Sequence, residues 1–303
     1  MDWVWIVLGA HLLYAVVFIV DSILINRHLE NATSYAFFVS ILGLAALFLS
    51  PFGFELVEQR TLLTAFFAGA AFTFGTLFLY RGLQKHETSR VVPLIGGMIP
   101  VFAFLLSFIF LPERLASNQL LAFILLATGS ILIVYPFHKK KKHHMKPAII
   151  GEMLLGAFLF ACWGVLSKRV FLETNFISGL VWIRIGAGLA GLIFLIGPKL
   201  RKEILHGKRR LKVRSGSILL ANKAGGAVAG LLIYYALSQG TAALVHALQG
   251  VQYVFLFGLV VVLSHWFPKV LKEDLDFTLV AQKLGSSFII AAGVALLLVS
   301  TPL

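Results

Sequence analysis

Residues 91–111 read VVPLIGGMIPVFAFLLSFIFL, an uninterrupted run of 21 residues without a charged side chain. A helix needs about 20 predominantly apolar residues to cross the hydrocarbon core of a bilayer. The run therefore predicts a transmembrane helix, near 89–111. Its interior Pro93, Gly96 and Pro100 would break a helix in water but are tolerated where neighbouring membrane helices pack closely.

Comparable apolar runs fill most of the remaining chain. Of the 303 residues, 59% are hydrophobic and 13% are charged, and the mean hydropathy is +0.92. Soluble domains have about 45–50% apolar and about 25% charged residues, so a water-soluble fold could not bury this much apolar surface. We predict an all-α integral membrane protein of ten transmembrane helices. They lie near 3–25, 33–54, 61–82, 89–111, 117–136, 148–171, 176–197, 216–238, 241–264 and 279–300.

The ten predicted helices divide into two similar halves. The halves share residue types in the same order: Gly9 aligns with Gly156 at an offset of 147, Tyr80 with Tyr234 and Gly96 with Gly250 at an offset of 154, and Gly129 with Gly293 at an offset of 164. An internal duplication with five helices per unit inverts the second unit in the membrane. We therefore predict two inverted five-helix repeats, 1–137 and 148–303, joined by a basic linker at 138–147.

Short motifs in the repeat resemble a known family. The stretch 93–115 ends in Leu-Pro-Glu-Arg-Leu and is followed by Gln-Leu-Leu at 119–121 and Ala-Thr-Gly-Ser at 127–130. This pattern resembles the EamA unit of the drug/metabolite transporter superfamily. In the second half, 281–294 matches the closing helix, whereas Phe-Pro-Lys at 267–269 departs from the acidic hairpin. The resemblance implies a ten-helix bundle with a central cavity that moves metabolites, amino acids or drugs.

The formal net charge of +13 is concentrated in connectors, chiefly 138–146 and 199–214. Of the 26 Lys and Arg residues, 20 lie at or near the connectors that follow odd-numbered helices, and four lie on the opposite side. The positive-inside rule places the first group in the cytoplasm and both termini outside, whereas the family resemblance implies cytoplasmic termini. We expect a multi-pass protein of a prokaryotic inner membrane whose basic loops contact anionic lipids rather than nucleic acid.

The sequence gives little support to other functional classes. Cys162 is the single cysteine, which excludes a disulfide framework and a cysteine metal cluster. His138, His143 and His144 surround four lysines, whose charges oppose a bound metal ion. Phosphate-binding loops, nucleophile elbows and His-Glu-x-x-His helices are absent from the sequence, so a primary pump and the common hydrolases lack support. We predict no enzymatic activity, no metal and no cofactor.

The first predicted helix carries a polar face. His11, Tyr14, Phe18 and Asp21 follow one another at i, i+3, i+7 and i+10, which places them on one side of a helix. Ionisable groups within a span are costly and usually face a cavity or a partner. In the functional interpretation Asp21 binds a coupling proton or a cationic substrate and His11 assists. In the alternative, Asp21 is interfacial and simply solvated or paired.

Two cations lie within later spans. Arg184 is near the middle of the seventh predicted helix, and Lys223 follows Asn222 in the eighth. We predict that they face a substrate cavity, where Arg could bind a carboxylate or phosphate through two N–H groups and Lys as a point charge. In the alternative, Arg184 snorkels or pairs with Glu152.

The ninth predicted helix has the densest polar face. His246, Gln249 and Tyr253 lie at i, i+3 and i+7, and we predict that they line the same cavity. Alternatively, such side chains only join helices through hydrogen bonds. Tyr80 and Tyr234, which are equivalent in the repeat, are predicted to flank the cavity from helices three and eight.

These features favour a secondary transporter of small organic metabolites, because inverted repeats can rock about a midplane site and expose it to either side in turn. The expected partners are a small-molecule substrate and membrane lipids. An alternative is a flippase for a lipid or lipid-linked substrate, or a membrane scaffold that moves no solute.

Overall fold

The computed structural model describes residues 2–25, 32–85, 88–134, 147–205, 213–266 and 277–300, and every regular element in these ranges is a helix. In chain order the elements are α1 (Asp2–Ile25), α2 (Ala32–Leu42), a 3₁₀ helix (Gly43–Phe52), α3 (Gln59–Lys85), α4 (Thr88–Phe110), α5 (Ser117–Val134), α6 (Pro147–Glu173), α7 (Phe176–Ile193), α8 (Pro198–Leu205), α9 (Val213–Gln239), α10 (Ala242–Ala247), α11 (Gln249–Trp266) and α12 (Phe277–Ser300).

The helices confirm the predicted all-α membrane class. Within the described residues, seven spans of 18 to 27 residues are apolar enough to cross a bilayer, and two shorter apolar stretches lie in α4 and α5. Large apolar side chains cover the outer surface: Phe48, Phe288 and Val299 are 83%, 78% and 83% exposed. Soluble proteins rarely expose such a surface, so these side chains indicate contact with lipid.

Two of the predicted spans are interrupted helices. The span near 33–54 changes from α-helix to 3₁₀ helix at Gly43, and it ends at Gly53, whose φ of 117° is left-handed. The span near 241–264 is broken at Leu248, where the Val251 amide bonds the Leu248 carbonyl three residues back instead of continuing the four-residue pattern. Irregular backbone inside a membrane bundle is tolerated where it is buried in protein or lines a cavity.

The two halves of the chain are interleaved. α3 packs on α6 and α7, α1 packs on α9 and α11, α4 packs on α6, and α5 packs on α12. Each of these pairs joins a helix from 1–137 to one from 148–303. The centre of the molecule is therefore built by both halves.

Four connectors gather at one end of the bundle, which we call the short-connector end. They are 53–58, 111–116, 174–175 and 240–241. The Glu55 amide donates to Ser178 Oγ at 2.8 Å, and the Ala242 amide donates to Glu113 Oε2 at 3.3 Å. The opposite end, where α1 finishes and α2 begins, is called the basic end after the Lys- and Arg-rich sequence of its connectors. Those connectors lie largely outside the described residues.

Glycines let α3 and α7 cross in close contact. A Cβ atom on Gly69 would overlap the Ile183 carbonyl oxygen and the Ala187 amide, and one on Gly186 would lie 2.6 Å from Phe66 Cα. The Thr73 hydroxyl crosses the same interface and donates to the Ala187 carbonyl at 3.1 Å. This crossing fixes the positions of the neighbouring side chains in the middle of both helices.

Candidate functional site

Five side chains from five helices meet in the middle of the bundle, and we call them the central cluster. They are Tyr14 of α1, Phe72 of α3, Trp163 of α6, Arg184 of α7 and Tyr234 of α9. Arg184 Cζ lies 5.0 Å from the centroid of the Phe72 ring and 4.8 Å from that of the Tyr234 ring. Trp163 Nε1 donates a 2.7 Å hydrogen bond to the Tyr234 hydroxyl. Helices of both halves thus contribute to one group.

The backbone approaches the Arg184 side chain from two further directions. A Cβ atom on Gly43 would lie 3.2 Å from Arg184 Nη1. A Cβ atom on Gly230 would lie 3.8 Å from Arg184 Nη2 and 3.2 Å from the Tyr14 hydroxyl. Side chains at these two positions would crowd the guanidinium group, so the glycines keep space around it.

The charged guanidinium group of Arg184 contacts aromatic rings rather than a carboxylate. Among the described residues, Arg184 forms no ion pair and its N–H groups have no hydrogen-bond acceptor. A charged side chain within a span costs about 2.5–3.5 kcal/mol on insertion scales, and each cation–π contact contributes about 0.5–2 kcal/mol. Two rings therefore offset much of the cost, and they leave the N–H donors of the guanidinium group available to another acceptor.

Two buried histidines border the central cluster. His11 Nδ1 lies 3.4 Å from Gln252 Oε1, and the His11 ring lies 6.4 Å from the Tyr14 ring. The His246 ring meets Trp163 edge-on at 5.9 Å. Both histidines are about 5% exposed, and in the described part of the protein their Nε2 atoms have no hydrogen-bond partner.

His246 packs directly on the backbone of α6 at Gly164, where a Cβ atom would overlap His246 Nε2. We expect Gly164→Ala to destabilise the protein by about 1–3 kcal/mol, the usual cost of overpacking. The double variant Gly164→Ala/His246→Ala should recover most of the loss because it removes the clashing ring. Thermal unfolding in detergent measures both effects. The control is Gly151→Ala on the same helix, where a Cβ atom meets no described residue within 4 Å. A Gly164→Ala protein as stable as this control would contradict the packing.

A second group, the lysine–tyrosine cluster, lies nearer the basic end and contains Tyr35, Tyr80 and Lys223. Lys223 Nζ donates to the Tyr35 hydroxyl at 3.2 Å and lies 5.2 Å from the centroid of that ring. The Tyr35 and Tyr80 rings stack at 3.8 Å. Neighbouring Asn222 donates from Nδ2 to the Val17 carbonyl of α1 at 3.1 Å, so it joins α9 to α1.

Gln249 and Tyr253 lie together on α11 and pack against α4. A Cβ atom on Gly96 would overlap the Tyr253 hydroxyl and lie 3.6 Å from Gln249 Nε2. Tyr253 is 8% exposed. Gly96 of α4 therefore makes room for these two polar side chains of α11.

Polar contacts also join the two halves at the short-connector end. Lys168 Nζ lies 3.4 Å from Glu113 Oε1, with side chains 6% and 16% exposed, and donates to the Ser238 carbonyl at 3.3 Å. The Thr61 hydroxyl donates to Glu173 Oε2 at 2.7 Å. A cavity of about 440 Å³ opens beside this second contact and is lined by residues of 55–61 together with Glu173 and Thr174.

The central cluster, the lysine–tyrosine cluster and the Glu113–Lys168 contact lie at different depths in the bundle. Lys168 is five residues from the end of α6, or about 7.5 Å at a rise of 1.5 Å per residue. Trp163 and Tyr14 lie near the middle of their helices, and Tyr35 is three residues from the start of α2 at the basic end. The central cluster thus lies between the Glu113–Lys168 contact and the lysine–tyrosine cluster.

The structure brings some of the predicted residues together and separates others. Arg184, Tyr234, His11 and His246 belong to the central cluster or border it, whereas Lys223 and Tyr80 meet elsewhere. Tyr80 and Tyr234, although equivalent in the repeat, therefore have different surroundings. The alternative Arg184–Glu152 pair is not among the contacts of Arg184.

Two sets of predicted residues lie outside the part that can be described. The side chain of Asp21 and the histidines at 138, 143 and 144 fall there. Within the described residues, no group of three or more His, Cys, Asp or Glu side chains could hold a metal ion.

Sequence reasoning missed Phe72 and Tyr35 as members of these groups. Phe72 is one of 27 phenylalanines, and Tyr35 is one of seven tyrosines, so neither stands out in a local pattern. Trp163 is one of five tryptophans and was not among the predicted site residues. Each becomes significant because a cation or a hydrogen-bond donor from a distant helix contacts it.

Comparisons with known proteins agree with this architecture. Residues 1–135 match the sequence model of the EamA-like transporter family, which confirms the resemblance carried by 93–130. An uncharacterized protein of Methanocaldococcus jannaschii is 33% identical over 78 residues, which are 26% of this chain and 56% of that protein. The chain thus spans about half the length of this relative.

A solved structure, described as the crystal structure of a protein, has a similar fold. It superposes with a TM-score of 0.67 at 15% sequence identity, covering 97% of this chain and 96% of its own. At this identity the likeness concerns the fold alone. It extends over both halves, whereas the family match covers only the first.

Proposed function

We propose that this chain, whose residues 1–135 match the EamA-like transporter family, is a secondary transporter of small organic metabolites that works by alternating access. The observation that carries the proposal is the central cluster, in which Arg184 has no anionic partner among the described residues and helices of both halves converge. Ionisable residues at this depth are typical of substrate pathways. In this proposal the chain is not an enzyme and needs no cofactor.

The packing supports an inverted duplication of 1–137 and 148–303. In the duplication α1, α3 and α4 of the first half correspond to α6, α9 and α11 of the second. The contact of α3 with α6 then has its counterpart in that of α9 with α1, and the contact of α4 with α6 in that of α11 with α1. Gly129 and Gly293, aligned in the repeat, face each other's helices: a Cβ atom on Gly129 would meet Ile290, and one on Gly293 would meet Leu126. Two such units can rock about a site at their interface.

The contacts on either side of the central cluster are suited to act as gates. The Glu113–Lys168 and Thr61–Glu173 contacts join the halves at the short-connector end, and Lys223–Tyr35 joins α9 to α2 toward the basic end. Opening one set while the other stays closed would expose the cluster to one side of the membrane at a time.

Ligand screening followed by counterflow tests the transport proposal. Purified protein is screened against a metabolite panel by thermal shift, because a ligand that binds only the folded state raises the melting temperature. Hits are then tested for counterflow in proteoliposomes. We expect counterflow of at least one hit and its loss in the double variant His246→Ala/Gln249→Ala. Undiminished counterflow in that variant would show that neither side chain is needed for transport.

Site-directed labelling tests alternating access. Cys162 is the single native cysteine, so Cys162→Ala provides a background for one new cysteine at Thr61 or at Tyr35. We expect a transported solute to change labelling by a membrane-impermeant maleimide in opposite directions at the two positions. Changes of the same sign at both would contradict a mechanism in which the gates alternate.

A lipid or lipid-linked substrate is the second candidate. An apolar groove of about 290 Å³ on α1, α11 and α12, lined by residues such as Leu8, Phe255 and Val294, has the chemistry to take an acyl chain. A proteoliposome assay that reports translocation of a fluorescent phospholipid distinguishes the two. Lipid translocation without counterflow of any solute would favour a flippase.

We further propose that the basic connectors face the cytoplasm of a prokaryotic cell and contact anionic lipids of its inner membrane. This orientation puts both termini outside. A C-terminal reporter that is active only in the cytoplasm should therefore be inactive. An active reporter would contradict this orientation and place the C-terminus in the cytoplasm.

A further inference from the structure

Three cations of α6 and α7 differ in how they are neutralised. Lys168 is paired with Glu113 and bonded to the Ser238 carbonyl, and Arg169 is paired with Glu173 at 2.6 Å. Arg184 lies deeper in the bundle, between two aromatic rings, and has no anionic partner among the described residues. Its N–H groups therefore retain their capacity to bind an acceptor that is not part of the described chain.

Arg184 is also accessible rather than sealed within the core. Its side chain is half-buried although the side chains of Tyr14, Phe72 and Tyr234 lie beside it. Glycines at 43 and 230 keep Cβ atoms away from the guanidinium group. The guanidinium group contacts side chains of α3 and α9, so it lies between helices of the two halves.

The walls next to Arg184 are aromatic. Phe72 contacts Arg184 and packs against Phe160 at 6.3 Å and Trp163 at 5.4 Å. Tyr234 contacts both Arg184 and Trp163. A ligand that reached the guanidinium group would have its remaining atoms against these rings, so an apolar body fits and a strongly hydrated one does not.

Charge balance selects the kind of anion. Arg184 is the only cation of the central cluster in the described residues. A carboxylate carries one negative charge and matches the two parallel N–H donors of an arginine. A phosphate monoester carries about −1.5 to −2 charges at neutral pH and would remain partly uncompensated. An α-ammonium group would likewise find no carboxylate among the described members of the cluster.

We propose that Arg184 binds the carboxylate of a small organic monoanion whose apolar body packs against Phe72 and Trp163. The assignment rests on the proposed transport function and names the substrate class of the same site. In this proposal the site prefers such a monoanion to amino acids, which carry an ammonium group beside the carboxylate, and to organic phosphates.

Four compounds that share a phenylethyl unit provide the test: 3-phenylpropionate, its neutral amide, phenylalanine and 2-phenylethylphosphonate. Binding to the detergent-purified full chain is measured by thermal shift and by quenching of tryptophan fluorescence. We expect 3-phenylpropionate to bind at least tenfold more tightly than each of the other three. Equal binding of the acid and its amide overturns the proposal, and tighter binding of the phosphonate overturns the choice of a carboxylate.

Variants locate the binding to Arg184. Arg184→Gln should remove the preference for the acid over the amide, and Arg184→Lys, which keeps the charge but not the paired donors, should weaken acid binding about tenfold. Arg169→Gln, on the partly exposed Arg169–Glu173 pair, is the matched control and should bind like the wild type. Melting temperatures without ligand identify any misfolded variant, and Arg184→Lys keeps the test valid if Arg184→Gln does not fold. An unchanged acid preference in a folded Arg184→Gln or Arg184→Lys protein overturns the proposal.

The two proposals fail in different ways. Binding in detergent requires no solute movement. A preference for the acid that depends on Arg184, without counterflow of any solute, would therefore contradict the transport function and support the carboxylate site at Arg184. The opposite result has two parts: the wild type shows no preference for the acid, and Arg184→Gln carries out counterflow of a solute at the wild-type rate. It would contradict the carboxylate site at Arg184 and support the transport function.

Discussion

Replacing Gly69 with alanine is expected to prevent stable folding or to lower the free energy of unfolding by more than about 3 kcal/mol, above the usual range for overpacking. The reason is that the new Cβ atom would overlap backbone atoms of Ile183 and Ala187, which cannot rotate away as a side chain can. α3 and α7 would have to separate, and the Thr73–Ala187 hydrogen bond would lengthen. Thermal unfolding and size-exclusion profiles in detergent measure the effect.

Glycines elsewhere supply the control for this prediction. Gly285 lies on α12, and no atom of the described residues comes within 4 Å of a Cβ atom there. Gly285→Ala should therefore be neutral or slightly stabilising, because alanine is the better helix former. Gly186→Ala acts on the same α3–α7 crossing as Gly69→Ala, and the two together should cost less than their sum, since the first already separates the helices. A Gly69→Ala protein that unfolds at the temperature of Gly285→Ala would contradict the close crossing.

Removing the carboxylate of Glu113 is expected to cost about 3–5 kcal/mol, because Glu113→Ala leaves the ammonium group of Lys168 buried without its counter-charge. The Lys168 side chain is only 6% exposed. Replacing both residues, in Glu113→Gln/Lys168→Met, should recover most of the stability, since no charge is then left unpaired. A double-mutant cycle of thermal unfolding in detergent gives the coupling energy.

The adjacent pair Arg169–Glu173 provides a matched comparison. These side chains are 33% and 24% exposed and lie four residues apart on α6, so Arg169→Gln should cost only about 0.3–0.5 kcal/mol. If Glu113→Ala is no more costly than Arg169→Gln, the buried pair does not hold the two halves together at the short-connector end. The gate that we propose there would then lack its main contact.

The membrane fold was predictable because it depends on local composition. An uncharged run such as 91–111 must lie in a helix wherever it crosses a bilayer, since backbone groups in lipid need internal hydrogen bonds. The break at Leu248 was not predictable in the same way. The run 241–264 contains no proline and no Lys, Arg, Asp or Glu that would mark a break. The change of hydrogen-bond pattern there accompanies the packing of buried His246 and Gly250 against α6 and α5.

The candidate site was predictable in its charged members and less so in its aromatic ones. Arg184 is conspicuous because a charge in the middle of an apolar span is costly. Phe72 precedes it by 112 positions and Tyr234 follows it by 50, and neither lies in a pattern that links it to Arg184. Lys223 was expected in the same cavity as His246, but its contact with Tyr35 belongs to a separate cluster nearer the basic end.

The sequence alone determined that the chain is a bundle of membrane helices, that its motifs resemble the EamA unit, and which cations lie within the spans. These properties follow from the order of residues along single helices. Only the tertiary structure decided which cation is neutralised: Lys168 meets Glu113, whereas Arg184 lies between two rings with no carboxylate among the described residues. The physical reason is that Coulombic and hydrogen-bond energies depend on distances of a few ångströms between different helices, and these distances are set by how the helices pack.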